Sequence, residues 1–161
     1  MNQNSYNSNR NFRSRVNNQN NTGYSNRDND VVDSVNQAFD QFGYQKIWIV
    51  SEANKDLVKS AEYAGKFMAD KGLTNSKIRS IYGEIKRIQM GTFEEEKVSF
   101  YLLKPKMAYA LGRDDKNQGL KLFKKIFDKC FEDVTDQKSY RNFCFLIEAI
   151  LAYHKAYGGK D

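Results

Sequence analysis

The sequence predicts an all-α protein, a compact bundle of about five to six helices behind a disordered amino-terminal tail. Apolar residues recur at steps of three and four through most of residues 31–161, the spacing of a single helix face. Only residues 46–50, KIWIV, favour an extended segment. A length of 161 residues suits one ordinary domain and is short for two. We therefore expect a tail over residues 1–30 and one helical domain over residues 31–161.

The tail is predicted from its composition. Residues 1–30 contain eleven asparagines and four arginines but no leucine or isoleucine. Such a segment buries too little apolar surface to offset the entropy lost on ordering. The functional alternative is a basic arm that adds weak nucleic-acid contacts through Arg10, Arg13, Arg15 and Arg27.

The first two helices of the domain are indicated by apolar stripes. Residues 31–42 carry one stripe, Gly43 is placed to end that helix, and KIWIV is expected to run extended after it. Residues 51–71 carry the second stripe, and Gly72 stands where a helix commonly stops. The stripes comprise Val32, Val35, Phe39 and Phe42 in the first helix and Leu57, Ala61, Ala64 and Met68 in the second.

The next helix, around KIRSIYGEIKRI at residues 77–88, has two different faces. Thr74 is a candidate N-cap and Gly91 a candidate stop. One face carries Ile78, Ile81, Ile85 and Ile88, and the opposite face carries Arg79, Gly83, Lys86 and Arg87. Glycine costs roughly 0.5 to 1 kcal/mol relative to alanine inside a helix, so Gly83 suggests that some backbone, such as that of another helix, approaches closely there.

Residues 92–113, TFEEEKVSFYLLKPKMAYALGR, predict a helix with a firm start. Thr92 and Glu95 have capping-box spacing, and three glutamates follow Phe93 at the positive end of the helix dipole. Pro105, the only proline, removes one backbone donor and is expected to kink or divide the helix near Lys104. Lys104, Lys106 and Arg113 lie around this proline and the helix end, where the backbone geometry is fixed and long cationic side chains can reach phosphates.

Two further helices complete the prediction. A loop, RDDKNQG, precedes a short amphipathic helix whose Leu120, Phe123, Phe127 and Cys130 are expected to point inward. The last helix spans about residues 136–157 and is apolar nearly all round in its centre, so it should pack on several sides. Gly158 and Gly159 are expected to end it.

The composition offers little for catalysis. The chain has one histidine, His154, for which packing is the favoured interpretation, and two cysteines, Cys130 and Cys144, expected to be buried and reduced in a cytoplasmic protein. There is no phosphate loop, nucleophile elbow or HExxH motif, no ligand spacing typical of zinc, and no signal peptide or membrane span. We expect no enzyme activity, no metal and no cofactor.

The charge balance points to a polyanionic partner. Lys and Arg total 26 against 20 Asp and Glu, a formal net charge of +6. No base-reading motif accompanies these cations, so any nucleic-acid contact should be with the backbone and independent of sequence.

Three segments together resemble a known family, the small helical subunit of type III-A CRISPR effector complexes, the Csm complexes. They are LTNSKIRSIYGEIKRI at residues 73–88, LKPKMAYALGR at residues 103–113 and FCFLIEAILAYHKAYGGKD at residues 143–161. The resemblance covers roughly residues 55–161, and the asparagine-rich start has no counterpart. It implies a non-catalytic, all-helical protein, present in several copies along the target RNA paired with the guide RNA, beside backbone and large subunits and away from membranes.

The resemblance also implies which cations contact target-RNA phosphates: Lys77 and Arg79 of the first segment, and Lys104, Lys106 and Arg113 of the second. Lys86 and Arg87 are added from the helix-face argument alone. Two alternatives remain open. The first is a purely architectural subunit whose basic faces meet acidic partner proteins and do not contact RNA. The second is a stand-alone helical nucleic-acid-binding protein, for which no recognition helix is identifiable.

Overall fold

The computed structural model describes residues 25–159, with side chains from Asp30 onward, and this part of the chain is all helical without a strand. It confirms the predicted fold class with eight helices. They are α1 (Ser25–Phe42), α2 (Ile47–Val50), α3 (Lys55–Asp70), α4 (Asn75–Gln89), α5 (Phe93–Tyr101), α6 (Leu103–Gly112), α7 (Gln118–Phe131) and α8 (Gln137–Ala156).

The helix α8 is central, as its nearly all-apolar middle predicts. It packs most extensively against α3 and also contacts α2, α4, α5 and α7. The helix α7 also packs against α1 and α3. The helix α4 packs against α5 and α6, and α6 also contacts α7. The predicted stripe residues of α3, α4 and α7 are buried, and the buried apolar residues form one cluster from Val35 to Ile150.

Side chains fix several helix starts. Asn54 accepts backbone N–H bonds at the start of α3, Thr92 accepts one from Glu95 at α5, and Asn117 accepts one from Leu120 at α7. At α8, Asp136 and Ser139 form a capping box. Thr74 precedes α4 as expected, but its hydroxyl pairs with that of Ser76 instead of capping the helix.

The extended KIWIV segment is the clearest wrong prediction. Residues 47–50 form the short helix α2, which buries Trp48 and Ile49 against the bundle. The Asn142 side-chain amide of α8 donates to the Ile49 and Ser51 carbonyls at 2.9 and 3.1 Å, so these acceptors need no neighbouring strand. A short apolar run has no period of its own to separate strand from buried helix.

One helix boundary also differs from the prediction, and the division expected before Pro105 is confirmed. The helix α1 begins at Ser25, so the last part of the predicted tail is helical, while the rest of that segment lies outside the described residues. The expected division before Pro105 is present: α5 ends at Tyr101 and α6 begins at Leu103, the residue directly before Lys104. A proline ring clashes with the carbonyl four residues earlier, here that of Tyr101, which places the break at the next residue.

His154 is packed in the core, as predicted. Its Nε2 lies 2.8 Å from the Leu73 carbonyl oxygen, which can only accept, so Nε2 carries the proton. Gly159 folds over the imidazole so closely that a β-carbon there would overlap the ring. The histidine thereby ties the end of α8 to the turn between α3 and α4.

Candidate functional site

A groove of about 820 Å³ runs between α4 and α6 on the surface of the bundle. On the α4 side, the small side chains of Ser76 and Ser80 line it at consecutive turns. On the α6 side, the lining begins at Leu102, where the chain breaks between α5 and α6. The lining residues are Ser76, Lys77, Ser80, Leu102, Pro105, Lys106, Tyr109, Ala110, Arg113 and Asp114.

Three of the seven predicted RNA-contacting residues lie together at this groove. Lys77 comes from α4 and forms an ion pair with Asp114 in the following loop. Lys106 comes from α6 and lies 3.2 Å from the Glu84 carboxylate of α4. Arg113 follows α6, and its guanidinium lies 5.8 Å from the Tyr109 ring centroid. Two segments that are about thirty residues apart in the sequence are therefore joined in one cationic surface.

The other four predicted residues do not line the groove. Arg79 is exposed on α4 and has no ion pair among the described residues. Lys86 bonds to Glu148 of α8 at 2.7 Å, and Arg87 reaches both Glu84 and Glu96.

Lys104 is the remaining member of the predicted set. Its ammonium lies 4.8 Å from the centroid of the Phe131 ring at the end of α7, and it does not line the groove. Lys104 and Lys106 are two positions apart on one helix, which turns their side chains to different faces.

Carboxylates already occupy much of this cationic surface. The hydrogen bond from Arg87 holds the pKa of Glu84 below its ordinary value, and burial only partly opposes it. The hydrogen bond from Arg87 likewise lowers the pKa of Glu96. A phosphate that pairs with Lys106 therefore competes with the ionised Glu84 carboxylate. The Lys77–Asp114 and Lys106–Glu84 pairs are partly exposed, and such pairs contribute roughly 0–1 kcal/mol. Replacing either carboxylate by a phosphate therefore costs little free energy.

The sequence reasoning missed the apolar part of the groove. Tyr109 has 69% of its surface exposed and Leu102 has 51%, and Pro105 and Ala110 continue the same wall. The available signal was the spacing of Lys106, Tyr109 and Arg113, which at steps of three and four share one face of α6.

Gly83 lies on the open side of α4. A β-carbon built there meets nothing within 4 Å in the described part of the chain, outside its own helix. No other helix of residues 25–159 approaches Gly83 closely, so that interpretation is wrong for the described part of the chain, and approach by another molecule stays a prediction.

The remaining chemistry-bearing residues lie in the core. Cys130 and Cys144 are free and buried, as predicted, and burial raises the pKa of the Cys144 thiol to about 12. Among residues 25–159 no group of three or more His, Cys, Asp or Glu side chains is placed to hold a metal ion. No helix in the same range is long and apolar enough to cross a membrane.

The fold and the groove define a small all-helical protein with a cationic and aromatic groove on one side. The chain belongs to the Csm2 Type III-A family, which matches residues 51–160 and so covers α3 to α8, the groove included. It is thus a small subunit of the type III-A CRISPR effector, the Csm complex, as the three sequence segments predicted. Neither the curated proteins nor the solved structures provide a match.

Proposed function

We propose that the chain is a non-catalytic subunit that contacts the backbone of the target RNA, or of the guide–target duplex, through the α4–α6 groove. Several copies stack along the RNA in a cytoplasmic effector that acts in antiviral defence. The observation that carries the proposal is the convergence of Lys77, Lys106 and Arg113 on one groove within a chain of the Csm2 family.

The chemistry expected of the groove is phosphate neutralisation. Each lysine or arginine that pairs with a phosphate releases condensed counterions, so affinity falls steeply as salt is raised. The contribution does not depend on base identity, and sequence selection belongs to guide–target pairing. Of the other predicted residues, Arg79 is free of ion pairs within residues 25–159 and supports the same role on α4.

A second candidate is the purely architectural role, in which this face contacts a partner protein. The observation that favours it is an apolar strip beside the groove, where Val98 is 70% exposed and Tyr101 and Leu102 are each about half exposed. Exposed apolar patches commonly mark protein–protein contacts.

The RNA role is tested with the triple variant Lys77→Gln, Lys106→Gln, Arg113→Gln. The matched control replaces Lys55, Lys59 and Lys66 of α3, three exposed lysines outside the groove, by glutamine. Affinity for single-stranded RNA is measured against salt concentration. Three lost phosphate contacts should lower the slope of log affinity against log salt by about 2, and the control should leave it near the wild-type value.

Equal slopes for both triple variants would contradict the RNA role of the groove. Reconstitution of the effector then separates the candidates. If the groove variant assembles normally but the complex binds target RNA weakly, the RNA role stands. If it fails to enter the complex while its own RNA affinity is unchanged, the architectural role replaces it.

A further inference from the structure

The groove has an aromatic wall that phosphate neutralisation alone does not use. Tyr109 projects from α6 with more than two thirds of its surface exposed. Other apolar side chains of α6, such as Met107, are buried in the core. Leu102 and Pro105 extend this wall toward the start of the helix. A large exposed ring between two cations on one helix face therefore needs its own explanation.

The cations surround this ring. Lys106 lies one turn before Tyr109, Arg113 lies one turn after it with its guanidinium at the ring, and Lys77 faces them from α4. Asp114 also lines the groove and is held by Lys77, so cations outnumber carboxylates among the lining residues. The combination of one flat aromatic surface and several cations matches a ligand that has both a flat ring and a phosphate.

The size of the groove suits a ligand of this kind. Its volume of about 820 Å³ falls in the range of roughly 300–1,000 Å³ typical of small-ligand sites. The ligand must present a free ring face, which bases inside a duplex do not, because each is covered by its stacked neighbours. Single-stranded nucleic acid does present such faces, and proteins bind it by stacking bases on aromatic side chains beside a cationic track.

We infer that the α4–α6 groove takes one unpaired RNA nucleotide, with its base stacked on Tyr109 and its phosphates held by Lys77, Lys106 and Arg113. The inference rests on the proposed function and adds that the site contacts a base as well as phosphates. The stacked base displaces or shares the ring face that Arg113 approaches, and the guanidinium then lies beside the nucleotide's own phosphate.

Two probes of equal charge test the inference on the full-length protein. One is a labelled 12-nucleotide oligouridylate, and the other is an abasic oligomer of the same length that retains every ribose and phosphate. The protein variants are Tyr109→Leu, which removes the ring, and Tyr109→Phe, which keeps it. The control is Tyr157→Leu, an exposed tyrosine at the end of α8 outside the groove.

The wild-type protein should bind oligouridylate about fivefold to tenfold more tightly than the abasic oligomer, at the lower end of base–aromatic stacking effects. Tyr109→Leu should lower the oligouridylate affinity to that of the abasic oligomer and leave the abasic affinity unchanged. Tyr109→Phe and Tyr157→Leu should both keep the wild-type preference.

Each other result has a distinct meaning. Equal wild-type affinity for the two probes overturns the stacking and leaves the phosphate contacts of the proposed function standing. A preference that survives Tyr109→Leu overturns the assignment to this ring. Salt-insensitive or absent binding of both probes removes the proposed function and the inference together. A Tyr109→Leu protein that keeps all RNA affinity but is lost from the reconstituted effector overturns the inference in favour of a protein contact.

Discussion

Gly65 and Gly83 both interrupt helix interiors, yet they lie in opposite environments. At Gly65 in α3, an added β-carbon would lie 2.6 Å from the backbone nitrogen of His154 and 2.7 Å from the backbone oxygen of Ile150, both in α8. At Gly83 in α4, an added β-carbon would meet nothing within 4 Å in residues 25–159 beyond its own helix. The first glycine permits a close approach of α3 and α8, and the second lies on an open face.

The comparison teaches how far an interior glycine can be interpreted from sequence. The helical cost of glycine is similar at the two positions, so both suggest a close approach. Only the tertiary arrangement shows that the approach occurs at α3–α8, which we call the closed interface. The exposed side of α4 around Gly83 is called the open face.

The largest effect is expected from a substitution that disrupts the closed interface. Gly65→Ala should lower the free energy of unfolding by about 3 kcal/mol, because the new methyl group meets backbone atoms of α8 that cannot rotate away. Urea unfolding followed by circular dichroism measures it. Gly112→Ala is the matched control, since nothing lies within 4 Å of its β-carbon position among the described residues. A loss below about 1 kcal/mol at Gly65 would show that α3 and α8 can separate freely.

The next largest effect is expected from a substitution that removes the hydrogen bond between His154 and the Leu73 carbonyl, beside that interface. His154→Leu keeps an apolar side chain but leaves the buried Leu73 carbonyl without its donor, which should cost about 2 kcal/mol in the free energy of unfolding. The same urea titration measures the change. The control, Tyr157→Phe, removes the hydroxyl that bonds to Glu62 at the surface, and it should have no measurable effect. Equal stability of the wild type and His154→Leu would mean that the histidine bond contributes nothing.

A smaller and pH-dependent effect tests how α8 starts. The bond from the Ser139 backbone N–H lowers the pKa of Asp136 below its ordinary value of 3.8. Its stabilisation is therefore fully present above that pH and is lost as the pH falls through the lowered pKa. Asp136→Ala should cost about 1 kcal/mol at pH 7, and the difference from wild type should shrink as the pH falls below about 4.

The control for this pH dependence is a cap without charge. Asn54 caps α3 by accepting two backbone bonds and does not titrate, so the cost of Asn54→Ala should stay constant over the same range. Parallel pH dependence of the two variants would contradict the role assigned to the Asp136 carboxylate.

The smallest effect concerns the open face and has the opposite sign. Gly83→Ala should raise the free energy of unfolding of the isolated protein by about 0.5–1 kcal/mol, because alanine loses less backbone entropy in a helix and meets no neighbour. Reconstitution with the other effector subunits sharpens the comparison. A variant that is more stable alone but enters the complex poorly would identify another molecule at the open face, whereas normal entry would leave that face uncovered at Gly83.

Much of the fold is predictable because burial follows helix periodicity. The isoleucines of α4 and the inward residues of α7 are buried as their spacing predicts, and Gly43 and Gly72 take positive φ at helix ends. The short segment at Trp48 was not predictable in this way, because four apolar residues show no period and the Asn142 side chain that bonds the Ile49 carbonyl is far away in the sequence.

The candidate site was predictable in residue type but not in arrangement. Spacing alone places Lys106 and Arg113 on one face of α6, and the structure adds Lys77 from α4. The direction of Lys104 toward Phe131 and the pairing of Lys86 with Glu148 depend on α7 and α8, whose positions no local pattern contains. The spacing of Tyr109 between Lys106 and Arg113 places it on the cationic face of α6, but the groove that this face forms with α4 is visible only in the folded chain.

The central position of α8 has a consequence for biosynthesis. About 86 residues separate the end of α3 from the end of α8, and translation at roughly 5–20 residues per second takes about 4–17 s to make them. Throughout that interval the apolar stripe of α3 has no α8 to cover it. The nascent chain therefore exposes apolar side chains of α3 that chaperones can bind, and α3 gains its largest contact only after nearly all of the described residues have been made.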